Sequence, residues 1–389
     1  MHNSQKPNIL FLTHVGQPGG AEFVMLRLCN AVRDQCSVLH FMHGPLEGIL
    51  KTHQISSSVL SMPDNLSGLR RSGGWRTLVK LIPAVMSMAG DLAKKQKSAD
   101  IIVCMSQKSF ILGALANLIS RKQLIWFMND LVSPEHFSKA LIFVMTKVFA
   151  RFADKIVVNS KASYDAWILN GGDADKTVIV YPGSDVADIE QQINNTSRVA
   201  AYRQQFGGDN APVIGMFGRI SHWKGQDVFI KALSRLQNVR GVIVGEAYFD
   251  EDKYFQELKD LMAQNNLNDK ITFTGHLHDV PTAMAACDVV VHASTHAEPF
   301  GLVIVEAILS NKPVIASNAG GAQEIIINEE TGFLTPIGDD AALAKAIQTY
   351  LDDPEHAKIM AEKSKTRALE KFSNDTMVTD FKSLLKNIV

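Results

Sequence analysis

The chain has 389 residues, with 39 lysines and arginines against 40 aspartates and glutamates, and 46% of it is apolar. That length predicts two domains and that composition predicts ordinary packed cores rather than disorder. A net charge of −1 excludes a general nucleic-acid binder, which needs a strong basic field, and four scattered cysteines with no C-x-x-C pair exclude a disulfide framework.

Short β-branched runs alternate with longer amphipathic stretches, the pattern of βαβ units and parallel sheets. The first run, 8–15, reads as a buried strand rather than the apolar core of a signal peptide. Further strands are expected at 38–42, 58–62, 101–105, 124–128, 155–159 and 177–181. Helices are expected between them, among others at 22–33, 77–95, 110–119, 139–152 and 161–170. The stretch 185–208 is polar and shows no strand signal, which places a junction near 183–210. A fresh series follows at 213–217, 241–244, 270–274, 288–292 and 313–316. After 333–336 the chain reads as helical to its end, at 341–351, 354–372 and 375–388. No run of about 18 uncharged apolar residues occurs, so no membrane span is expected and the cytoplasm is the expected home.

The expected class is α/β, with two Rossmann-like, doubly wound parallel-sheet domains facing across a cleft and C-terminal helices crossing between them. Their expected extents are 1–185 and 186–370, with a last helix, 371–389, packing back on the first. Ligands of such sheets bind at the carboxyl ends of the strands.

The densest chemical signal is Glu298-Pro299-Phe300-Gly301-Leu302-Val303-Ile304-Val305-Glu306. A strand ends in a loop bearing Glu298, a helix starts near Gly301-Leu302, and Glu306 lies about one turn inside it. Free N–H groups at a helix start suit phosphate, and Gly301 lets a ligand approach the backbone. Two carboxylates beside a phosphate need hydroxyls and balancing cations. Sugar and ribose supply the first. Gly218-Arg219 and Lys224-Gly225, after the first strand of the second half, supply the second.

At these residues, and at Pro313-Val314-Ile315-Ala316, Gly320-Gly321, Thr331-Gly332-Phe333-Leu334 and Phe273-Thr274-Gly275-His276-Leu277, the chain resembles the retaining glycosyltransferases of family 4, which have the GT-B fold. The resemblance covers the whole second half closely. In the first half it rests on Pro18-Gly19-Gly20-Ala21-Glu22, Val157-Val158-Asn159-Ser160 and Tyr181-Pro182-Gly183.

It implies a metal-independent hexosyltransferase with no required cofactor. Such an enzyme would move a sugar, glucose by first guess, from a nucleotide donor, UDP by first guess. The acceptor would be a saccharide or lipid-linked molecule in polysaccharide or cell-envelope assembly. Arg219 and Lys224 would neutralise the diphosphate, and Glu298 would hold hydroxyls of the transferred sugar. Phe300, Gly301, Leu302 and Val303 would offer backbone N–H groups, and Glu306 would take both ribose hydroxyls. Groups around His276 and Leu277 would read the base, while Gly19, Gly20 and Gly218 would line the donor phosphates. Many members carry a histidine after the fifth strand; here Asn129 takes that place, and an amide cannot shuttle a proton at neutral pH.

Simpler readings stand beside these. Glu306 alone would be an ordinary helix glutamate, and Gly19-Gly20 alone a turn. His276, His278, His292 and His296 invite a metal reading, but strand and loop positions offer no coordinating set. Asp173-x-Asp175 and Asp250-x-Asp252 lie in polar connections and read as solvated charge. Basic stretches at 68–76 and 139–152 suit either a solvated face or peripheral contact with an anionic membrane. A nucleotide-sugar-binding protein without turnover and a nucleotide-sugar epimerase are the competing functions.

Overall fold

The computed structural model describes residues 6–62, 75–247 and 251–388, and for 75–81 the backbone alone. It divides into two compact units, 1–181 with 377–389, and 182–376.

Among the described residues the first unit holds seven parallel strands: β1 (Ile9–Thr13), β2 (Cys36–His40), β3 (Ser56–Val59), β4 (Ile101–Cys104), β5 (Gln123–Met128), β6 (Lys155–Val158) and β7 (Thr177–Ile179). Their order is β3-β2-β1-β4-β5-β6-β7. All five residues of β1 are buried, as expected of a central strand covered on both faces. Trp126 anchors the core, stacked on Phe110 at 4.3 Å and edge-on to Trp167 at 5.5 Å. The last helix, Asn374–Lys386, places Phe381 6.1 Å from the Phe11 ring and 6.3 Å from Phe127, so its apolar face completes this unit's core.

The second unit holds β8 (Val213–Phe217), β9 (Arg240–Val244), β10 (Ile271–Gly275), β11 (Val289–His292), β12 (Val314–Ser317) and β13 (Phe333–Thr335), in the order β10-β9-β8-β11-β12-β13. The polar stretch after residue 185 is not a bare linker. Asp185 and Asn195 cap two helices, Val186–Ile193 and Thr196–Gln205, by accepting the N–H groups of Asp188 and Arg198.

Strand order reverses between β1 and β4 in one sheet and between β8 and β11 in the other. Helices leave a switch point in opposite directions, so each sheet has a crevice at the carboxyl ends of those two strands.

One expected helix is not uniform. The segment 139–152 is α-helical over Lys139–Phe143, opens into a π-turn over Val144–Val148, and tightens to a 3₁₀ turn over Phe149–Phe152. Thr146 Oγ1 donates to the Ile142 carbonyl at 2.9 Å, and β-branched neighbours crowd that turn. Lys139, Lys147 and Arg151 of this basic stretch are therefore not spaced at an even 100° per residue, and all three are exposed. Cys29, Cys104 and Cys287 are buried free thiols, and Cys36 is half-buried.

Candidate active site

At the second switch point, β11 ends at His292 and runs into a loop that carries Ser294 and Glu298. Glu298 is buried, and its Oε1 atom collects three donors. Lys224 Nζ lies 2.5 Å away, His292 Nε2 lies 2.7 Å away, and Ser294 Oγ donates to the same atom. None of the described residues donates to Oε2. Burial alone would raise this carboxyl, but Lys224 and His292 outweigh it and hold it well below the usual carboxylate range.

Close backbone contacts hold this cluster in place. Gly225, at φ +78°, passes so near the Ala293 carbonyl that an added Cβ would sit 2.0 Å from its oxygen. The Thr295 N–H donates to the Trp223 carbonyl at 2.8 Å, tying the Lys224 loop to the Glu298 loop. Gly320, at φ +58°, leaves room for the Glu298 backbone, and the Gly321 N–H bonds the Glu298 carbonyl at 3.0 Å. The sequence pairs Lys224-Gly225 and Gly320-Gly321 are therefore packing devices for the loop that bears the carboxylate.

Gly301, at φ +111°, opens the helix Leu302–Leu309. The first-turn N–H groups of such a helix lack intrahelical acceptors, so those of Leu302 and Val303 are placed for an anion. Phe300 is buried with its ring 5.4 Å from Phe372, and Glu306 sits half-buried on the helix. Arg219 is exposed; its carbonyl accepts from Gln226 Nε2 at 2.9 Å. At Gly218, with φ +135°, an added Cβ would meet open space. The His276 N–H faces Glu246 Oε1 at 3.4 Å, with the His276 ring exposed and Leu277 half-buried.

The first unit's switch point is polar but differently made. His14, just past β1, shares a 2.8 Å hydrogen bond with Ser106 Oγ, just past β4. Burial first, then the field of Lys108, pushes the His14 imidazole down to about 4. Glu22 is buried; its Oε1 accepts from Thr13 Oγ1 at 2.9 Å and its Oε2 from the Gly19 N–H at 3.0 Å. Burial raises its carboxyl despite those two bonds. The Gly19 N–H is thus committed inside the protein, while Gly19 and Gly20 stay exposed. Asn129 Nδ2 donates to the Met105 carbonyl at 3.1 Å, and its own carbonyl receives Asn159 Nδ2 at 3.4 Å.

Sequence reasoning missed Ser294 and His14 and read His292 only as a weak metal candidate. The signal was present: residues 292 and 294 alternate at a strand's end, which points both side chains the same way. Among the described residues no group of three or more His, Cys, Asp or Glu side chains is placed to hold a metal ion. Asp173 Oδ1 instead accepts the Asp175 N–H at 3.0 Å. Asp250 and residues 68–74 of the basic loop lie outside the described residues.

Comparison with known proteins points one way. The family described as "Glycosyl transferases group 1" matches residues 199–367, and "Glycosyltransferase Family 4" matches residues 13–188. Alpha-D-kanosaminyltransferase of Streptomyces kanamyceticus is 28% identical over 193 residues, 48% of each chain. The lipopolysaccharide core biosynthesis mannosyltransferase LpcC of Rhizobium leguminosarum bv. viciae is 34% identical over 146 residues, 36% of this chain and 41% of that one. The chain thus spans about half the length of the curated relatives it matches. The crystal structure of Anabaena Alr3699/HepE in complex with UDP-glucose superposes with a TM-score of 0.89 at 34% identity, covering 98% of this chain and 100% of that one.

Proposed function

The chain belongs to glycosyltransferase family 4, with the GT-B fold, and from that premise we propose that it transfers a hexose from a UDP-sugar to a saccharide or lipid-linked acceptor. The observation that carries this reading is Glu298, a buried carboxylate kept ionised by Lys224 and His292 at the second switch point. It can accept hydrogen bonds from sugar hydroxyls through its second oxygen. The HepE structure, whose complex holds UDP-glucose, supports UDP and glucose as the donor's parts. The family's assembly roles support a setting in polysaccharide or envelope synthesis, at the cytoplasmic face of a membrane.

In this reading Arg219 and Lys224 neutralise the donor diphosphate. The ammonium of Lys224 has three N–H donors and directs one at Glu298. The N–H groups of Phe300 to Val303 bind sugar and phosphate oxygens, Glu306 holds the ribose, and His276 with Leu277 meets the base. Gly218, Gly19 and Gly20 keep backbone close to the phosphates and to the acceptor, and Asn129 offers an amide to a sugar hydroxyl.

Transfer proceeds on one face of the sugar with retention. The acceptor oxygen bonds to the anomeric carbon as the bond to the phosphate oxygen breaks, leaving its electron pair on UDP. The acceptor's proton passes to that same phosphate oxygen. No protein nucleophile is needed, and catalysis comes from positioning and charge stabilisation. The chain's own cations take the place that a divalent ion fills in other transferases.

Thermal melting with UDP, GDP, ADP and their sugars tests the reading. A ligand at about 100 times its Kd stabilises by roughly 2.7 kcal/mol. The expected result is a shift with UDP and UDP-glucose, followed by product detected by mass in the presence of acceptors. A shift with no product under any acceptor favours a binding protein without turnover. No shift with any nucleotide overturns the donor site.

A further inference from the structure

The first unit also carries an apolar and basic patch outside its switch-point residues. Right-handed crossovers put the helices that follow β4, β5 and β6 on one face of the sheet. The helix Gln107–Ser120 touches the 3₁₀ turn Phe149–Phe152. The end of helix Lys161–Leu169 is tied to the π-turn, because Lys147 Nζ donates to the Gly171 carbonyl at 2.8 Å.

These three adjoining elements expose large apolar side chains. Of the fourteen that are exposed among the described residues, Leu118, Ile119, Phe143, Val148, Phe152 and Leu169 lie here. Phe143 is 61% exposed, Ile119 64% and Leu169 87%, values at which the side chain has no core role. The segment 139–152 contains Lys139, Lys147 and Arg151 and no acidic residue. None of the three is in an ion pair with a described residue. Arg121 and Lys122 follow the exposed Leu118-Ile119 pair directly.

Beneath this edge is a cavity of about 330 Å³ lined by Lys147, Arg151 and Lys176, with Asp173 as the one carboxylate among its walls. Asp154, just before β6, turns its Oδ2 to the Leu124 N–H at 2.7 Å, and Asp175 is exposed two residues beyond Asp173. Apolar side chains interleaved with unpaired cations, and a basic hollow behind them, match an interface of acyl chains and anionic headgroups. The apolar groups enter the boundary while the cations meet phosphates. A solvated protein face would not collect six such apolar groups in three adjoining elements.

We propose that this face docks the protein on an anionic lipid bilayer, with Phe143, Val148 and Phe152 inserted and Lys139, Lys147 and Arg151 on lipid phosphates. The proposal extends the lipid-linked acceptor reading, yet it is tested without donor or acceptor, so the two fail separately.

The test is flotation of the full chain with vesicles of phosphatidylcholine alone and of phosphatidylcholine mixed with phosphatidylglycerol. Binding is expected to the mixed vesicles, weakened by added salt. Lys139→Glu with Arg151→Glu should lower the partition coefficient roughly 30-fold or more, as two cations are lost. Phe143→Ser with Phe152→Ser should lower it on the same vesicles. Both double variants touch exposed groups and should keep the wild-type melting temperature, which confirms that they fold. Absence of flotation, equal binding to both vesicle types, or variants that float like wild type would overturn the proposal. So would a solution dimer, seen by sedimentation, that Phe143→Ser with Phe152→Ser splits, since the face would then cover a second copy.

Discussion

The two switch points sit on the same scaffold and bury comparable polar groups, yet their electrostatics run in opposite directions. In the second unit, burial of Glu298 is outweighed by Lys224 and His292, and the carboxyl stays ionised. In the first, burial wins: the Glu22 carboxyl rises and the His14 imidazole falls to about 4. The difference is a counter-ion. Thr13 and a backbone N–H stabilise a carboxylate, but neither carries the full charge that Lys224 brings. The paired charges beside Glu298 suit a diphosphate-linked sugar, and a site without a full cation on its carboxyl suits hydroxyl groups, which is the division of labour proposed for donor and acceptor.

The sharpest way to break this comparison is Glu298→Gln. It keeps the shape and removes the charge. Turnover should fall about 10³-fold, roughly 4 kcal/mol in the transition state, with the UDP melting shift retained. Product assays beside thermal shifts measure both, and full activity in this variant would remove Glu298 from the mechanism.

Lys224→Met attacks the counter-ion and leaves a buried carboxylate short of its strongest partner. Unfolding in urea should show a loss of about 3–5 kcal/mol. Part of that loss should vanish at acid pH. In the wild type, Glu298's lowered folded value stabilises above the unfolded carboxyl pKa and is lost as pH falls through the folded one.

Gly320→Ala tests the scaffold rather than the charge. Its Cβ would lie 2.2 Å from the Glu298 carbonyl oxygen at a φ of +58°. A stability loss of about 1–3 kcal/mol is expected, along with weaker turnover as the loop shifts.

The smallest effect belongs to His14→Gln. The unfolded imidazole takes a proton near 6.5 and the folded one near 4, so acidification across that window favours the unfolded chain. The melting temperature of the wild type should fall more steeply there than that of the variant. Parallel curves would mean that His14 is not held neutral.

Much of the architecture was legible because parallel strands buried on both faces must be apolar throughout, as Ile9–Thr13 and Val289–His292 are. Every strand run read from the sequence has its strand, offset by up to three residues at the ends. The helix 139–152 was misread in its interior, because a π-turn conserves the apolar pattern while changing the pitch.

The sequence by itself determined the alternation of strand and helix, the family, and the types of residue at the second switch point. These are local or ordered along the chain, and composition and spacing record them. Only the tertiary structure decided which donors meet Glu298 Oε1. Lys224 reaches it across 74 residues, through loops that close only because Gly225 and Gly320 let backbone pass against backbone. It also decided that Gly19's N–H is spent on Glu22 and that Lys147 is tied to the Gly171 carbonyl 24 residues on. Such contacts are set by how sheets and crossovers bring distant segments together, and no window of sequence contains both partners.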